Sequence, residues 1–144
     1  IGDKERFKEV IDALAERYAG KKIDAVLAVE SRGFIFGGAL AYKLGAGFVP
    51  VRKKGKLPSK TFQATYSLEY GEDTLEIHQD AIKPGARVLL IDDLLATGGT
   101  LGAVIDLVKK LKGEIAEIAF IIELKDLKGR SKLKDFPVYS MIQY

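Results

Sequence analysis

The stretch "VLLIDDLLATGGTLGAVIDLVKKL", residues 88 to 111, combines three features that decide the fold and the kind of site. An apolar run of strand length ends in two adjacent acids, Asp92 and Asp93, and a threonine- and glycine-rich loop then leads into a helical pattern. Two charges are costly to bury, and paired glycines are poor helix formers. In an open parallel sheet, ligands bind beyond the carboxyl ends of the strands. We therefore interpret this segment as a binding site.

The loop after the two acids has the composition of a phosphate-binding loop. Its candidate residues are Ala96, Thr97, Gly98, Gly99 and Thr100. Free N–H groups and the dipole at a helix N-terminus favour an anion, and glycines let a phosphate approach the backbone closely. The pattern is neither a Walker loop nor a G-x-G-x-x-G loop. Acids beside a phosphate suit sugar hydroxyls or magnesium, so we expect a ribose 5-phosphate with its hydroxyls on Asp92 and Asp93. The alternative is a strand-to-helix turn with aspartate N-caps.

The rest of the chain alternates strands and helices, which predicts one α/β domain over residues 1–144. The predicted helices span 3–19, 34–44, 100–112 and a short stretch near 126–134, and the predicted strands span 23–29, 48–51, 87–91, 115–122 and 137–142. Strands that are apolar throughout their length indicate an open, mostly parallel twisted sheet with helices on both faces.

Residues 52–67, "RKKGKLPSKTFQATYS", are basic and polar, are broken by Gly55 and Pro58, and have no sustained period. They predict a long mobile loop. The segments "YSLEYG" and "TLEIHQ" predict two short strands around a turn at residues 71–73. We therefore expect a β-hairpin insertion that carries a flexible loop at about 53–71.

Composition excludes several kinds of site. The absence of cysteine excludes disulfides and zinc–thiolate centres, and a single histidine, His78, excludes a histidine-rich metal centre. A net charge of +3 is too small to argue for nucleic acid. Neither a transmembrane run nor a signal peptide is visible, so the sequence predicts a cytoplasmic protein without membrane or nucleic-acid partners.

The segment "VLLIDDLLATGGT" resembles the signature with which type I phosphoribosyltransferases bind 5-phosphoribosyl-1-pyrophosphate (PRPP). Three further segments resemble this family in the same order: "ESRGFIFGGALAYKLGAGFVPVRKKGKLP", "YSLEYGEDTLEIHQDAIKPG" and "IIELKDLKGRSKL". The resemblance covers residues 5 to 144. It implies the type I phosphoribosyltransferase fold and the purine-salvage reaction of the members that use adenine, in which adenine and PRPP give AMP and pyrophosphate.

The resemblance also implies roles for the charged residues of the first half of the chain. The segment Glu30-Ser31-Arg32 corresponds to the pyrophosphate loop, with Arg32 as the charged contact. Arg52 and Lys56 correspond to cations that reach pyrophosphate, whereas their neighbours Lys53 and Lys54 are expected to be solvent charges. A basic run is otherwise usually a solvated face.

In the hairpin, the resemblance implies that Glu69 is the general acid/base, with Tyr70 beside it near the reacting atoms. The flexible loop would close over PRPP and exclude water, and Tyr66 could cover the phosphates. Leu124 corresponds to the aliphatic residue that packs on the purine, and His78 has no implied role beyond structure. Mg²⁺ is the implied cofactor, held mainly by PRPP and water rather than by assigned protein ligands, and the implied assembly is a homodimer.

Family members normally begin with a hood segment that forms the other face of the base pocket, and nothing resembling it precedes Asp3. The chain starts without methionine, which favours loss of the hood over its absence from the protein. Two functional alternatives remain at this stage. One is a phosphoribosyltransferase for 6-oxopurines, although "IIE" before Leu124 offers no donor for a 6-oxo group. The other is a non-catalytic regulator that binds PRPP.

Overall fold

A computed structural model describes all residues from 1 to 144. In chain order the elements are α1 (Lys4–Tyr18), β1 (Ala25–Val29), α2 (Arg32–Leu44), β2 (Gly47–Lys53), β3 (Thr61–Ser67), β4 (Glu72–His78), β5 (Arg87–Leu95), α3 (Gly99–Lys110), β6 (Glu114–Glu123) and β7 (Val138–Gln143). Two short 3₁₀ turns, Lys125–Leu127 and Gly129–Leu133, lie between β6 and β7. None of the helices has both the length and the apolar character that crossing a membrane requires.

The seven strands form one sheet in the order β3-β4-β2-β1-β5-β6-β7. Four neighbouring pairs are parallel, and only β4 pairs antiparallel, with β2 and with β3. The mostly parallel sheet predicted from the sequence is thereby confirmed. All five residues of β1 are buried, as expected for a central strand covered on both faces.

Helices cover both faces of the sheet because alternate residues of the central strands point in opposite directions. Val88 and Leu90 of β5 belong to the core cluster that includes the buried side of α3. Leu89 and Ile91 belong to the other cluster, together with the buried residues of α1 and α2. The sheet therefore presents an apolar face to each helical layer, and its carboxyl edge is left for loops.

The predicted loop at 52–67 is wrong in its second half. Strand β2 continues to Lys53, and β3 occupies Thr61–Ser67, so the connection between them is residues 54–60. Strand β3 pairs with β4 over seven positions, from Thr61↔His78 to Ser67↔Glu72. It lies at the sheet edge and buries only Ala64, so its sequence lacks the apolar alternation of a core strand.

Two further elements differ from prediction. Of the segment "YSLEYG", only Tyr66 and Ser67 are in a strand, and residues 68–71 form the turn of the β3–β4 hairpin. The short helix predicted near 126–134 is instead the pair of 3₁₀ turns. Lys128, with a positive φ of 53°, separates these turns and prevents a continuous helix.

Candidate functional site

The two loops predicted to bind anions meet at the carboxyl edge of the sheet. Strands β1 and β5 are adjacent and parallel, so residues 30–32 after β1 lie beside the acids at the end of β5. The Arg32 guanidinium forms an ion pair with the Asp93 carboxylate. A Cβ on Gly33 would lie 2.9 Å from Oδ1 of Asp92, so glycine allows this close approach. The peptide bond between residues 30 and 31 is cis.

The phosphate-loop cavity is a hollow of about 90 Å³ at the end of β5 and the start of α3. Its lining consists of Asp92, Leu94, Leu95, Ala96, Thr97, Gly98, Gly99, Thr100 and Leu101. Gly98 precedes α3 with a φ of 73°, a conformation that favours glycine. The first-turn N–H groups of α3 have no carbonyl partners within the helix, so they are donors for an anion. All five loop residues predicted from the sequence line this cavity.

Gly129 packs against the backbone of the phosphate loop, a contact that the sequence does not predict. A Cβ at this position would lie 2.2 Å from the carbonyl oxygen of Ala96, and a Cβ on Gly98 would lie 2.8 Å from the carbonyl oxygen of Gly129. The two backbones therefore pack directly against each other. The only sequence signal is a glycine within "LKGR", which is typical of any turn.

The segment that contains Gly129 is itself held by Arg130. Nε of Arg130 donates to the Glu123 carboxylate at 3.0 Å, and its Nη atoms donate to the Val138 carbonyl at 2.8 Å and the Ser140 hydroxyl at 3.2 Å. The pKa of the buried Glu123 carboxyl is lowered, chiefly by the hydrogen bond from Arg130. These contacts hold the 3₁₀ turn against β6 and β7, so the segment that packs on the phosphate loop is itself fixed in position.

Glu30 gathers the two cations expected to bind pyrophosphate. Its side chain is 9% exposed, and its carboxylate lies 2.8 Å from Nζ of Lys56 and 3.4 Å from Nη2 of Arg52. The backbone N–H of Lys53 donates to it at 2.6 Å. Burial by itself raises the pKa of Glu30, but these hydrogen bonds and charges outweigh burial, and the pKa lies below its ordinary value. Glu30 is therefore ionised and holds both cations at the cleft.

Lys53 is exposed, as expected, but it also has an ion-pair partner that the sequence did not indicate. Its ammonium lies 3.0 Å from the Asp73 carboxylate, and its side chain lines the cleft. The hydrogen bond with Asp73 raises the pKa of Lys53. The Tyr66 hydroxyl donates to the same carboxylate at 3.3 Å. The hairpin therefore contributes a cation and a phenol to the site. Lys54 is exposed, as expected.

Three cavities lie side by side along the carboxyl edge of the sheet and share lining residues. The central cleft, of about 270 Å³, is lined by Val29, Glu30, Ser31, Arg32, Lys53, Tyr66, Leu75, Asp92, Asp93 and Thr100. It shares Asp92 and Thr100 with the phosphate-loop cavity. On its other side it shares Arg32 and Asp93 with an apolar pocket of about 380 Å³, which is lined by Ile1, Arg6, Phe7, Val10, Arg32, Phe36, Asp93, Leu94, Ile121 and Ile122. A ligand with an anionic end, a polyhydroxyl middle and a flat apolar end matches this succession.

Asp92 lies at the junction of the cleft and the phosphate-loop cavity. Burial and, less strongly, the negative charge of Asp93 raise the pKa of Asp92 to about 7, although the N–H of Asp93 opposes the shift by donating to Oδ1 at 2.9 Å. A carboxylate in this setting gains from hydroxyl donors of a ligand, because they stabilise its charged form.

Five predicted residues do not line these cavities, and two of them, Arg52 and Lys56, contact the central cleft through Glu30. Glu69 and Tyr70 lie at the turn of the β3–β4 hairpin, where both are exposed and Tyr70 is 89% exposed. Leu124 follows β6, and its N–H donates to the Leu95 carbonyl at 2.9 Å, beside the phosphate loop. The roles expected for these residues stay predictions. No cluster of three or more His, Cys, Asp or Glu side chains is arranged to hold a metal ion.

Comparisons with known proteins agree with this geometry. The model of the phosphoribosyl transferase domain family matches residues 1–143. The adenine phosphoribosyltransferase of Acidobacterium capsulatum is 61% identical over 144 residues, which are 100% of this chain and 80% of the relative. The crystal structure of adenine phosphoribosyltransferase from Thermoanaerobacter pseudethanolicus superposes with a TM-score of 0.95 at 51% identity, covering 99% of this chain and 83% of that one.

A third comparison includes bound ligands. The Saccharomyces cerevisiae adenine phosphoribosyltransferase, in complex with D-2,5-dideoxy-2,5-imino-altritol 1,6-bisphosphate and adenine, has a TM-score of 0.91 at 48% identity, covering 96% of this chain and 81% of that one. These matches extend over 96% to 100% of the chain. The chain therefore belongs to the phosphoribosyl transferase domain family and, within it, to the adenine phosphoribosyltransferases.

Proposed function

We propose that this chain transfers the 5-phosphoribosyl group of PRPP to adenine and releases pyrophosphate, with AMP as the product. The observation that carries the proposal is the adjacency of the phosphate-loop cavity, the central cleft and the apolar pocket, which share lining residues in that order. A ribose with a phosphate at one end and a purine at the other has the same order of chemical groups. The names of the relatives support adenine, and none of them supports a 6-oxopurine or a regulatory role.

In this proposal the 5′-phosphate accepts hydrogen bonds from residues 96–100, and the ribose hydroxyls donate to Asp92 and Asp93. The pyrophosphate lies in the cleft among Glu30, Ser31, Arg32, Arg52 and Lys56. The guanidinium of Arg32 is paired with Asp93. In this proposal it turns from that carboxylate to the incoming phosphate. Glu30 acts indirectly, since its carboxylate holds Arg52 and Lys56 in place.

The bond between ribose C1 and the pyrophosphate oxygen breaks as the purine nitrogen attacks, so negative charge grows on the leaving group. Cations held in place before the reaction stabilise that charge most effectively. Lys53 adds a further positive charge to this wall of the cleft. Asp92 and Asp93 would lie beside a Mg²⁺ ion that enters with PRPP, and that ion would supply additional positive charge. Adjacent carboxylates in a polar cleft suit such a hard cation, which keeps most of its water ligands.

We propose that Glu69 handles the purine proton as general acid/base, with Tyr70 beside it. Both lie at the tip of the β3–β4 hairpin, so movement of this tip over the cleft would bring them to the reacting atoms and exclude water. The purine would lie in the apolar pocket near Leu94, with Leu124 contributing an aliphatic contact from the neighbouring strand end. The homodimer and the cytoplasmic location expected from the sequence stay predictions.

The test is pyrophosphate release after mixing the chain with PRPP, Mg²⁺ and one purine base at a time. We expect release with adenine and little with hypoxanthine, guanine or xanthine. PRPP binding without release for every base would support a regulator, and release only with a 6-oxopurine would refute the choice of adenine.

A matched pair of variants tests the roles within the cleft. Lys56→Met removes the ammonium that lies on Glu30, and we expect the KM for PRPP to rise. Lys54→Met removes an exposed ammonium two residues away, and we expect no change. Equal effects of the two variants would contradict the assignment of Lys56.

A further inference from the structure

Glu76 is a buried carboxylate outside the cavities that the proposed function uses. It lies in β4 and is 3% exposed. Burial by itself raises its pKa, but hydrogen bonds from Leu57, Gly55, Thr61 and Gln63 outweigh burial, and the pKa lies below its ordinary value. The group is therefore charged inside the protein. A buried charge is costly unless hydrogen bonds satisfy it, so this arrangement calls for a physical explanation.

The four donors all belong to the segment that connects β2 to β3 or to the beginning of β3. One carboxylate oxygen accepts from the N–H of Gly55 at 2.9 Å and from the N–H of Leu57 at 3.3 Å. The other accepts from the Thr61 hydroxyl at 3.2 Å and the Gln63 amide at 3.4 Å. The Glu76 side chain therefore forms hydrogen bonds with both ends of the segment that connects β2 to β3.

The residue between the two backbone donors is Lys56. Its ammonium reaches the Glu30 carboxylate at 2.8 Å, and its carbonyl accepts from Nη1 of Arg52 at 3.2 Å. Gly55 takes a φ of 84°, which turns the chain at this point. Besides Glu76, the connection is held by backbone hydrogen bonds near its two ends, from Lys54 to the Thr74 carbonyl and from Gln79 to the Lys60 carbonyl, each at 3.0 Å. Glu76 is the side chain that accepts hydrogen bonds from the backbone on both sides of Lys56. The position of the ammonium thus depends on the carboxylate behind it.

We propose that Glu76 is a positioning residue for PRPP: it fixes the backbone on both sides of Lys56 and so holds that ammonium at the pyrophosphate end of the cleft. Glu76 does not touch the ligand. The inference rests on the proposed function, because Lys56 is assigned there to pyrophosphate. It adds a residue from β4, remote from both anion-binding loops, to the determinants of PRPP affinity.

The test is a double-mutant cycle on the Kd for Mg²⁺–PRPP, measured by calorimetry so that turnover is not required. We expect Glu76→Ala and Lys56→Met each to raise the Kd by about 10-fold, the scale of one charge-assisted hydrogen bond. Because Glu76 acts through Lys56, we expect the double variant to be no weaker than Lys56→Met alone. Glu76→Gln retains an acceptor for the two backbone donors and is expected to restore most of the affinity.

The control is Glu117→Ala. Glu117 is also a partly buried carboxylate, but Arg17 and Tyr18 hold it, and it lies in the half of β6 away from the cleft. We expect this variant to lose thermal stability with an unchanged Kd. Limited trypsin digestion supplies a readout independent of ligand: cleavage after Lys54, Lys56 and Lys60 should be faster in Glu76→Ala than in Glu117→Ala.

Multiplicative effects of Glu76→Ala and Lys56→Met on the Kd, or an equal Kd change in Glu117→Ala, would overturn the inference. The same holds if cleavage of the connection is not faster than in the control. Failure of the proposed function looks different, because pyrophosphate release would then be absent for every base in the unmodified chain while the coupling and digestion results remained measurable.

Discussion

Replacing Gly129 by alanine should disable the phosphate loop although no residue that lines its cavity is replaced. The new Cβ would lie 2.2 Å from the carbonyl oxygen of Ala96 and 2.9 Å from Cδ1 of Leu95. Leu95 can rotate away, but the carbonyl is backbone, so one of the two segments must shift. Relieving the contact requires a displacement of roughly 1 Å, and an error of that size in a positioning group can cost about 100-fold in rate.

The strain also affects stability. Overpacking in a well-packed region costs about 1–3 kcal/mol, which lowers the Tm of a chain of this size by about 3–10 °C. Arg130 and its hydrogen bonds to Glu123, Val138 and Ser140 resist movement of the Gly129 side. We therefore expect the Ala96 side to yield, so that the Kd for PRPP rises together with the loss of Tm.

The assay is calorimetric binding of Mg²⁺–PRPP together with a thermal melt, and Gly102→Ala is the matched control. Gly102 lies in α3 a few residues beyond the same loop, and a Cβ there would meet nothing within 4 Å. Alanine in a helix interior is favoured over glycine by about 0.5–1 kcal/mol, so the control should melt slightly higher with an unchanged Kd. A Gly129→Ala protein that behaved like Gly102→Ala would refute the packing argument.

Three further outcomes follow from the site. Burial raises the pKa of Asp92 to about 7, above the ordinary 3.8, so the folded state keeps a proton that the unfolded chain releases, and the free energy of unfolding should fall as the pH rises from about 4 to 7. Asp92→Asn should make the Tm less dependent on pH over this range. An unchanged pH dependence of the Tm would contradict the raised pKa. Glu69→Ala should lower kcat by about 10²–10⁴-fold at an unchanged Tm, because the residue is exposed at the hairpin turn; normal turnover would remove Glu69 from the mechanism. Chelation of Mg²⁺ should abolish pyrophosphate release. It should leave the Tm of the unliganded chain unaltered, since no cluster of His, Cys, Asp or Glu side chains is arranged to hold a metal ion; a lower Tm would indicate a protein-bound ion instead.

The sequence predicted the fold where local pattern and tertiary environment agree. Strand β5 and helix α3 carry apolar residues at the spacing that their buried faces require. Helix α3 was found close to its predicted bounds, whereas β5 continues past its predicted end at residue 91 to Leu95, so Asp92 and Asp93 lie within the strand. Prediction was wrong at β3, because an edge strand with one buried residue has the composition of a loop. The strand is stabilised by backbone pairing with β4, and such pairing leaves little trace in the side chains.

The candidate site divides in the same way. The acids and the glycine-rich loop were recognisable because phosphate binding by a strand-to-helix turn uses residues that are consecutive in the chain. The pairing of the exposed Lys53 was not predicted because its partner Asp73 comes from another strand, and a basic run alone does not show which cation is paired.

By itself, then, the sequence determined the chemistry of the carboxyl edge: two acids, a phosphate loop, a run of cations and the strands that end there. The tertiary structure decided which of these groups meet. Arg32 and Asp93 are 61 positions apart, and Glu76 lies 21 positions from Gly55, yet the strand order brings each pair into contact. The same strand order places Gly129 against the backbone of Ala96. Local conformation depends on neighbouring residues, whereas these contacts depend on the register and order of the strands, which only packing of the whole sheet establishes.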